Sequence, residues 1–155
     1  MVVASRDLAA CEQLAREISA KGGRARAFSA DVTIAADMEA LVAFTEREFG
    51  GLDLAFNNAG AIFGTASIVE TPAERFRAQL ETNLLGVWHG LRAQIPAMAR
   101  RQGGAIVINA ARGGLRGTPG LGTYAAAKAG AIMLGLVAAQ EAARQNVRLN
   151  IIAPG

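Results

Sequence analysis

Short apolar runs alternate with longer amphipathic stretches along the whole chain. The apolar runs predict strands at about residues 2–4, 24–29, 52–56, 105–110 and 147–152. The longer stretches predict helices over about 7–21, 34–49, 72–101 and 121–145. Such alternation is typical of a parallel sheet that helices cover on both faces. We therefore expect one α/β domain over residues 1–155.

Capping and turn residues mark several of these boundaries. Thr71, followed by Pro72 and Glu74, predicts the start of the third helix with Thr71 as N-cap. Glycine pairs at 50–51 and 103–104 predict the ends of the second and third helices. The sequence has no internal repeat or low-complexity segment, which agrees with a single domain.

Composition and charge exclude several classes of protein. Hydrophobic residues make up 52% of the chain, enough for a buried core, and the net charge is only +3. No basic run is interleaved with aromatics, which argues against nucleic-acid binding. The longest uncharged apolar stretch of the last helix, residues 129–140, is shorter than the roughly 20 residues that span a bilayer. We expect no membrane span.

Cysteine and histidine usage excludes a disulfide framework and a metal site. Cys11 is the only cysteine and His89 the only histidine. We interpret His89 as a packed or exposed helix residue. No secretory signal pattern follows Met1, so cytoplasmic residence is expected.

Tyr124 and Lys128 are the strongest candidates for chemistry. They stand four residues apart at the head of the last predicted helix and so share one face. An ammonium close to a phenol favours the tyrosinate and lowers the phenol pKa. A phenol tuned in this way can exchange a proton with an alcohol or a carbonyl compound near neutral pH.

Three more features follow the same order along the chain. An Asn-Asn-Ala-Gly segment, residues 57–60, ends a short apolar run, and Asn83 interrupts an apolar helical pattern. Pro154 and Gly155 follow the last strand. Together with Tyr124-x-x-x-Lys128, these features resemble the short-chain dehydrogenase/reductase family over nearly the whole chain.

The resemblance implies a fold and a set of catalytic residues. The fold would be a Rossmann-like, doubly wound parallel sheet with strand order 3-2-1-4-5-6. Tyr124 would be the general acid and base. Lys128 would lower its pKa and hold the nicotinamide ribose, and Asn83 would support a proton relay behind Lys128.

The resemblance also implies cofactor contacts. Asp31 and Val32 would meet the adenine, and Pro154 and Gly155 would flank the nicotinamide. Asn57, Ala59 and Gly60 would line the cofactor near its adenosine ribose. Other roles are open to some of these residues: Asn57 and Asn58 could form a turn, Asp31 could cap the next helix, and Asn83 could bond a buried carbonyl.

Arg6 bears on the choice of cofactor. It follows the first predicted strand, where an acidic residue would bind a ribose 2′-hydroxyl and a basic one suits a 2′-phosphate. The resemblance therefore favours NADP(H) over NAD(H). Alternatively, Arg6 is a solvated residue at the start of a helix.

Ala111 departs from the family pattern. The family places a serine thirteen residues before its tyrosine, and here that position is Ala111. Loss of one such hydrogen-bond donor costs on the order of 10²- to 10³-fold in rate, by analogy with oxyanion-hole deletions. Arg112 and Thr118 are near enough in sequence to be substitute donors.

The family's first strand and its glycine-rich turn, TGxxxGxG, have no counterpart in the sequence. The missing strand belongs in the middle of the sheet, so its absence leaves a central gap with unpaired edges. We expect the chain to be a fragment, truncated at both ends. We also expect it to fold poorly alone or to close the gap by shifting strands.

The sequence thus predicts a partial NADP(H)-dependent oxidoreductase that interconverts a small-molecule alcohol and a ketone or aldehyde. The apolar last helix suggests a homo-oligomer, although a plain core helix explains it equally well. An alternative function is that of a catalytically silent homologue or truncated product that acts as an assembly partner. A dinucleotide sensor without chemistry would need a phosphate-binding turn that the sequence lacks.

Overall fold

The computed structural model describes all 155 residues and contains five strands and five α-helices. The strands are β1 (Val2–Ser5), β2 (Arg26–Ser29), β3 (Leu54–Asn57), β4 (Gly104–Asn109) and β5 (Val147–Ile152). The helices are α1 (Leu8–Ala20), α2 (Ala35–Phe49), α3 (Ala73–Leu80), α4 (Gly86–Arg100) and α5 (Gly122–Ala142). The α/β class is confirmed, and each strand lies within about two residues of its predicted position.

The strands form two separate parallel sheets. β1 pairs with β2, and β3, β4 and β5 pair in that order. β1 and β3 each have a neighbour on one side only, as predicted for a sheet that lacks its central strand. The strands do not shift to close the gap.

Helices cover only one face of the three-stranded sheet. Ile106 and Ile108 of β4 are fully buried, whereas Leu54 and Phe56 of β3 are 74% and 59% exposed. The main core lies between this sheet, α4 and α5. The prediction that helices cover both faces is therefore wrong for β3–β5, because the helices that follow β3 and β4 pack on the same side.

The third predicted helix is not continuous. A π-helical turn, Glu81–Leu85, separates α3 from α4 and contains Asn83. The predicted cap is also wrong: Pro72 occupies the N-cap position, and the Thr71 hydroxyl instead donates to the Ser67 carbonyl at 2.8 Å. The Thr71 hydroxyl bonds a carbonyl four residues earlier in the chain instead of capping the helix.

Other helix ends agree with the sequence. Asp7 caps α1 by accepting from the Ala10 N–H at 3.0 Å. Gly50 ends α2 with φ of 80°, a left-handed conformation that favours glycine.

The last helix runs through a short 3₁₀ turn to Gln145 and is long and apolar enough to cross a membrane by length and composition. The core helix of a globular protein passes the same test. α5 packs small side chains, including Ala131, Ala138 and Ala142, into the main core. Core packing therefore accounts for the small side chains on one face of α5, whereas Met133, Leu136 and Val137 of the same helix are exposed.

Candidate active site

Tyr124 and Lys128 lie together in the first two turns of α5. The Lys128 ammonium nitrogen is 5.8 Å from the centroid of the Tyr124 ring. Lys128 is only 4% exposed, and its ammonium donates to the Asn109 carbonyl at the end of β4 at 3.0 Å. The strand end therefore fixes the cation beside the phenol.

The electrostatics of this pair differ from the expectation. Burial raises the pKa of the Tyr124 phenol and lowers the pKa of the Lys128 ammonium. The predicted lowering of the phenol pKa is absent in the chain without cofactor, because desolvation disfavours both charged forms. A raised pKa keeps the Tyr124 phenol protonated at neutral pH.

Asn83 joins the π-turn to the loop after β3. Its side chain is fully buried, and its amide nitrogen donates to the Ala61 carbonyl at 2.8 Å. Its amide oxygen accepts from the Ala61 N–H at 3.1 Å. Asn83 thus bonds a buried carbonyl, which was the alternative interpretation of its role. The π-turn places this side chain inside the fold, as such turns often do at functional sites.

The Asn83 and Lys128 side chains meet at Gly60. A Cβ added at Gly60 would lie 2.8 Å from the Asn83 Oδ1 and 3.1 Å from the Lys128 Nζ. Any larger residue would force at least one of these polar atoms to move. The structure therefore brings together three of the predicted site residues at one point of the loop.

Gln79 belongs to the same network, although the sequence analysis did not identify it. Its side chain is fully buried, and its Oε1 accepts from the Asn83 Nδ2 at 3.2 Å and from the Phe63 N–H at 3.4 Å. Its Nε2 has no partner in the chain. The available signal was its position four residues before Asn83, on the same helix face.

Asn57 is not available to a cofactor through its side chain. Its amide group exchanges two hydrogen bonds with the Gln94 amide of α4, at 2.9 and 2.7 Å. The neighbouring Asn58 accepts from the Asn109 Nδ2 at 2.7 Å. The side chains of both asparagines therefore join β3 to its neighbours, while Ala59 lies exposed in the loop.

Ala111 precedes a 3₁₀ turn, Arg112–Gly114, that packs against α5. A Cβ at Gly113 would lie 3.5 Å from the Tyr124 ring, so this turn borders the phenol. Ala111, the position of the family's serine, is thus two residues before Gly113, which borders the Tyr124 ring. Thr118 is exposed in the loop that follows.

Pro154 and Gly155 lie beside Arg112. The Arg112 N–H donates to the Pro154 carbonyl at 2.8 Å. The Arg112 guanidinium carbon would lie 3.6 Å from a Cβ at Gly155. The end of the chain therefore returns to the same side of the sheet as Tyr124.

A second polar cluster lies at the ends of β1 and β2. The Asp31 carboxylate accepts from the Thr33 N–H at 2.9 Å and from the Thr33 hydroxyl at 2.8 Å. These hydrogen bonds, and then the charge of Arg6 at 3.9 Å, lower the pKa of Asp31. Asp31 does not cap the next helix, because Ile34 is the N-cap.

These two clusters offer groups that fit parts of a dinucleotide. At the ends of β1 and β2, the Val32 N–H has no partner in the chain and stands beside the ionised Asp31 carboxylate. Arg6, whose side chain is 80% exposed, adds a positive charge there. A free donor, an acceptor and a cation fit a phosphorylated adenosine, and Tyr124 and Lys128 offer hydrogen-bonding groups for a ribose. No group of three or more His, Cys, Asp or Glu side chains could hold a metal ion.

Comparison with known proteins agrees with this arrangement. The family model for short chain dehydrogenases matches residues 1–155. The chain is similar to a cyclohexanol dehydrogenase of Acinetobacter sp., with 38% identity over 155 residues, which cover all of this chain and 62% of that protein. It therefore spans about three-fifths of the length of this relative.

Two solved structures have the same fold. One is an NAD⁺-bound xylitol dehydrogenase, with a TM-score of 0.96 and 32% identity over 99% of this chain and 59% of that one. The other is a 7α-hydroxysteroid dehydrogenase complexed with NADH and 7-oxo glycochenodeoxycholic acid. Its TM-score is 0.94 and its identity 30%, over 99% of this chain and 60% of that one. Both likenesses cover all five strands.

Proposed function

The chain belongs to the short-chain dehydrogenase family, and from that premise we propose that it interconverts a small-molecule alcohol and a ketone or aldehyde with a nicotinamide dinucleotide. One observation carries the proposal: Asn83 and Lys128 converge on Gly60, with the Tyr124 ring next to Lys128. Burying the Lys128 ammonium costs desolvation free energy, and an apolar side chain at this position would pack in the core without that cost. The arrangement suits proton transfer to or from an alcohol oxygen.

Tyr124, Lys128 and Asn83 have different roles in this reaction. The Tyr124 hydroxyl, held protonated by its raised pKa, donates a proton to a carbonyl oxygen in the reducing direction. The positive charge of Lys128 stabilises the phenolate that this transfer leaves. Asn83 holds the loop at Ala61 in place around both groups. The nicotinamide cofactor, when bound, supplies the hydride.

We propose NADP(H) as the preferred cofactor, because Arg6 lies next to Asp31 with most of its side chain exposed. An exposed guanidinium can bind a ribose 2′-phosphate, whereas the two solved relatives contain NADH and NAD⁺. Arg6→Ala should weaken NADPH binding and leave NADH binding nearly unchanged. Arg16→Ala is the matched control, since Arg16 is an exposed arginine of α1 whose partner is Glu12.

Ala111 supports a second candidate, a catalytically silent homologue that acts as an assembly partner. No hydroxyl stands at this position, so a substrate oxygen would have one donor fewer. The two candidates predict different results in one assay. Alcohol-dependent reduction of NADP⁺ by the purified chain, with cyclohexanol among a panel of secondary alcohols, supports the enzyme if Tyr124→Phe abolishes it. If the native chain and Tyr124→Phe both bind the cofactor but show the same rate of NADP⁺ reduction, the silent homologue is the better explanation.

We also propose that the chain forms a homo-oligomer in the cytoplasm, without a nucleic-acid or membrane partner. Large apolar side chains are exposed on α5 and on the adjacent start of α4, including Met133, Val137 and Trp88, at 60%, 45% and 40%. A second copy of the chain would cover them. Met133→Glu should lower the mass measured by sedimentation equilibrium, whereas an unchanged mass would exclude this face as the contact.

A further inference from the structure

We propose that His89 is a positioning residue for the adenine end of the cofactor. Its imidazole lies 2.9 Å from the Val32 carbonyl, in the turn between β2 and α2. Because a carbonyl can only accept, the His89 Nδ1 must carry the proton and donate it. The proposal rests on the proposed function, since His89 would help to position groups of a site that the dinucleotide would occupy.

Helix α4 holds this turn at two points. His89 bonds the Val32 carbonyl, and Gly86, three residues earlier on the same face, lets the Val32 side chain approach. A Cβ at Gly86 would lie 2.7 Å from the Val32 Cγ2, too close for any residue but glycine. The backbone and the side chain of Val32 are therefore both fixed against one helix.

The hydrogen bonds of the turn leave one donor free. The N–H groups of Ala30, Asp31, Thr33 and Ile34 all have partners within the chain. Only the Val32 N–H, between them, has none. The Val32 carbonyl that His89 holds belongs to the same peptide unit as the Thr33 N–H, which donates to the Asp31 carboxylate, so His89 helps to fix the acceptor that lies beside this free N–H.

A fixed donor beside a fixed acceptor matches one edge of adenine. The amino group of adenine donates, and the adjacent ring nitrogen accepts, so the base can bond Asp31 and the Val32 N–H at once. Loss of the His89 bond would let the peptide between Val32 and Thr33 rotate, which would weaken the Thr33 N–H bond to the Asp31 carboxylate and move this acceptor away from its position beside the Val32 N–H. The result would be a lower affinity for the cofactor, because His89 touches neither Tyr124 nor the reacting atoms.

The same helix also begins directly after the π-turn that carries Asn83. The π-turn and α4 therefore position two segments: Asn83 holds the loop at Ala61, and His89 holds the turn at Val32. No sequence pattern predicts this link, because a lone histidine on a helix is most simply interpreted as a packing residue.

The test uses adenosine 2′,5′-bisphosphate, which lacks the nicotinamide, and the full chain. Calorimetry should show that His89→Leu weakens binding about five- to tenfold, the effect of one lost hydrogen bond. His89→Asn should restore affinity to within about twofold, because its Nδ2 stands where the His89 Nδ1 stands. Arg92→Ala, an exposed change one turn along α4, should have no effect.

Amide hydrogen exchange of Thr33, whose N–H donates to the Asp31 carboxylate, tests the anchoring directly without any ligand. Exchange there should be faster in His89→Leu than in the native chain and His89→Asn, while the β4 amides stay protected in all three. Equal exchange at Thr33 in the native chain and in His89→Leu would overturn the anchoring role, whatever the effect on binding. Failure of the native chain to bind the bisphosphate would contradict the proposed NADP(H) site and the role of His89 in it, whereas Thr33 exchange would still test the anchoring alone. Weaker binding by His89→Leu with unchanged exchange would equally refute the stated mechanism.

Discussion

Replacing Lys128 by methionine should raise the pKa of the Tyr124 phenol above its value in the native chain. The ammonium nitrogen is 5.8 Å from the phenol ring centroid. While Lys128 keeps its proton, a tyrosinate and the ammonium at about 6 Å attract by about 3 kcal/mol at an effective dielectric constant of about 20. Tyr124 is only half-buried, and water around the ring should reduce this to about half. Methionine keeps most of the side-chain volume and removes the attraction.

The assay is unusually direct because Tyr124 is the only tyrosine in the chain. The ultraviolet absorbance of tyrosinate therefore follows this one phenol, without cofactor or substrate. The native phenol should titrate above the ordinary value of 10.0, since burial raises its pKa. The control is Lys21→Met, which changes the other lysine, an exposed residue after α1.

Two results would refute the reasoning. If the phenol of Lys128→Met titrates at or below the native pKa, Lys128 either loses its proton before the phenol does or does not act on it, and either result removes the attraction from the argument. If the native phenol titrates below 10.0, burial is not the dominant influence on it. Circular dichroism at each pH limits the comparison to conditions in which the chain is folded.

Three further changes test other parts of the site. Ala111→Ser should raise turnover by about 10²-fold or more if the missing donor limits the reaction; an unchanged rate in the alcohol assay would point to a substitute such as Arg112. Gly60→Ala should lower the free energy of unfolding by about 1–3 kcal/mol through overpacking, because its Cβ would lie 2.8 Å from the Asn83 Oδ1. Gly117→Ala, with nothing within 4 Å, should be nearly neutral in the same denaturant titration. The lowered pKa of Asp31 means that its carboxylate stabilises the fold above its ordinary pKa of 3.8 and that this stability is lost as the pH falls further. Asp31→Asn should therefore lose less stability than the native chain on acidification, and an equal loss would show that the Thr33 bonds contribute nothing.

The strand and helix periods of the sequence predicted the α/β class, and the resemblance to the family, whose first strand has no counterpart here, predicted the gap in the sheet. They could not predict the π-turn, since one inserted residue barely changes a 3.6-residue pattern over a long helix. The pairing of Asn57 with Gln94 and the burial of Gln79 depend on contacts between distant segments, which no local pattern encodes. The phenol pKa was predicted from the pair spacing alone, and its direction was wrong because burial depends on the whole fold.

The most direct test of the proposed dehydrogenase function is a titration of the purified chain with NADPH, followed by cofactor fluorescence and by thermal unfolding. Saturable binding should raise the apparent unfolding temperature with increasing NADPH, because the ligand binds only the folded state. Lys128→Met should require a higher concentration for the same rise. A folded chain whose unfolding temperature does not change with NADPH or NADH, and which shows no saturable fluorescence change, would contradict the account.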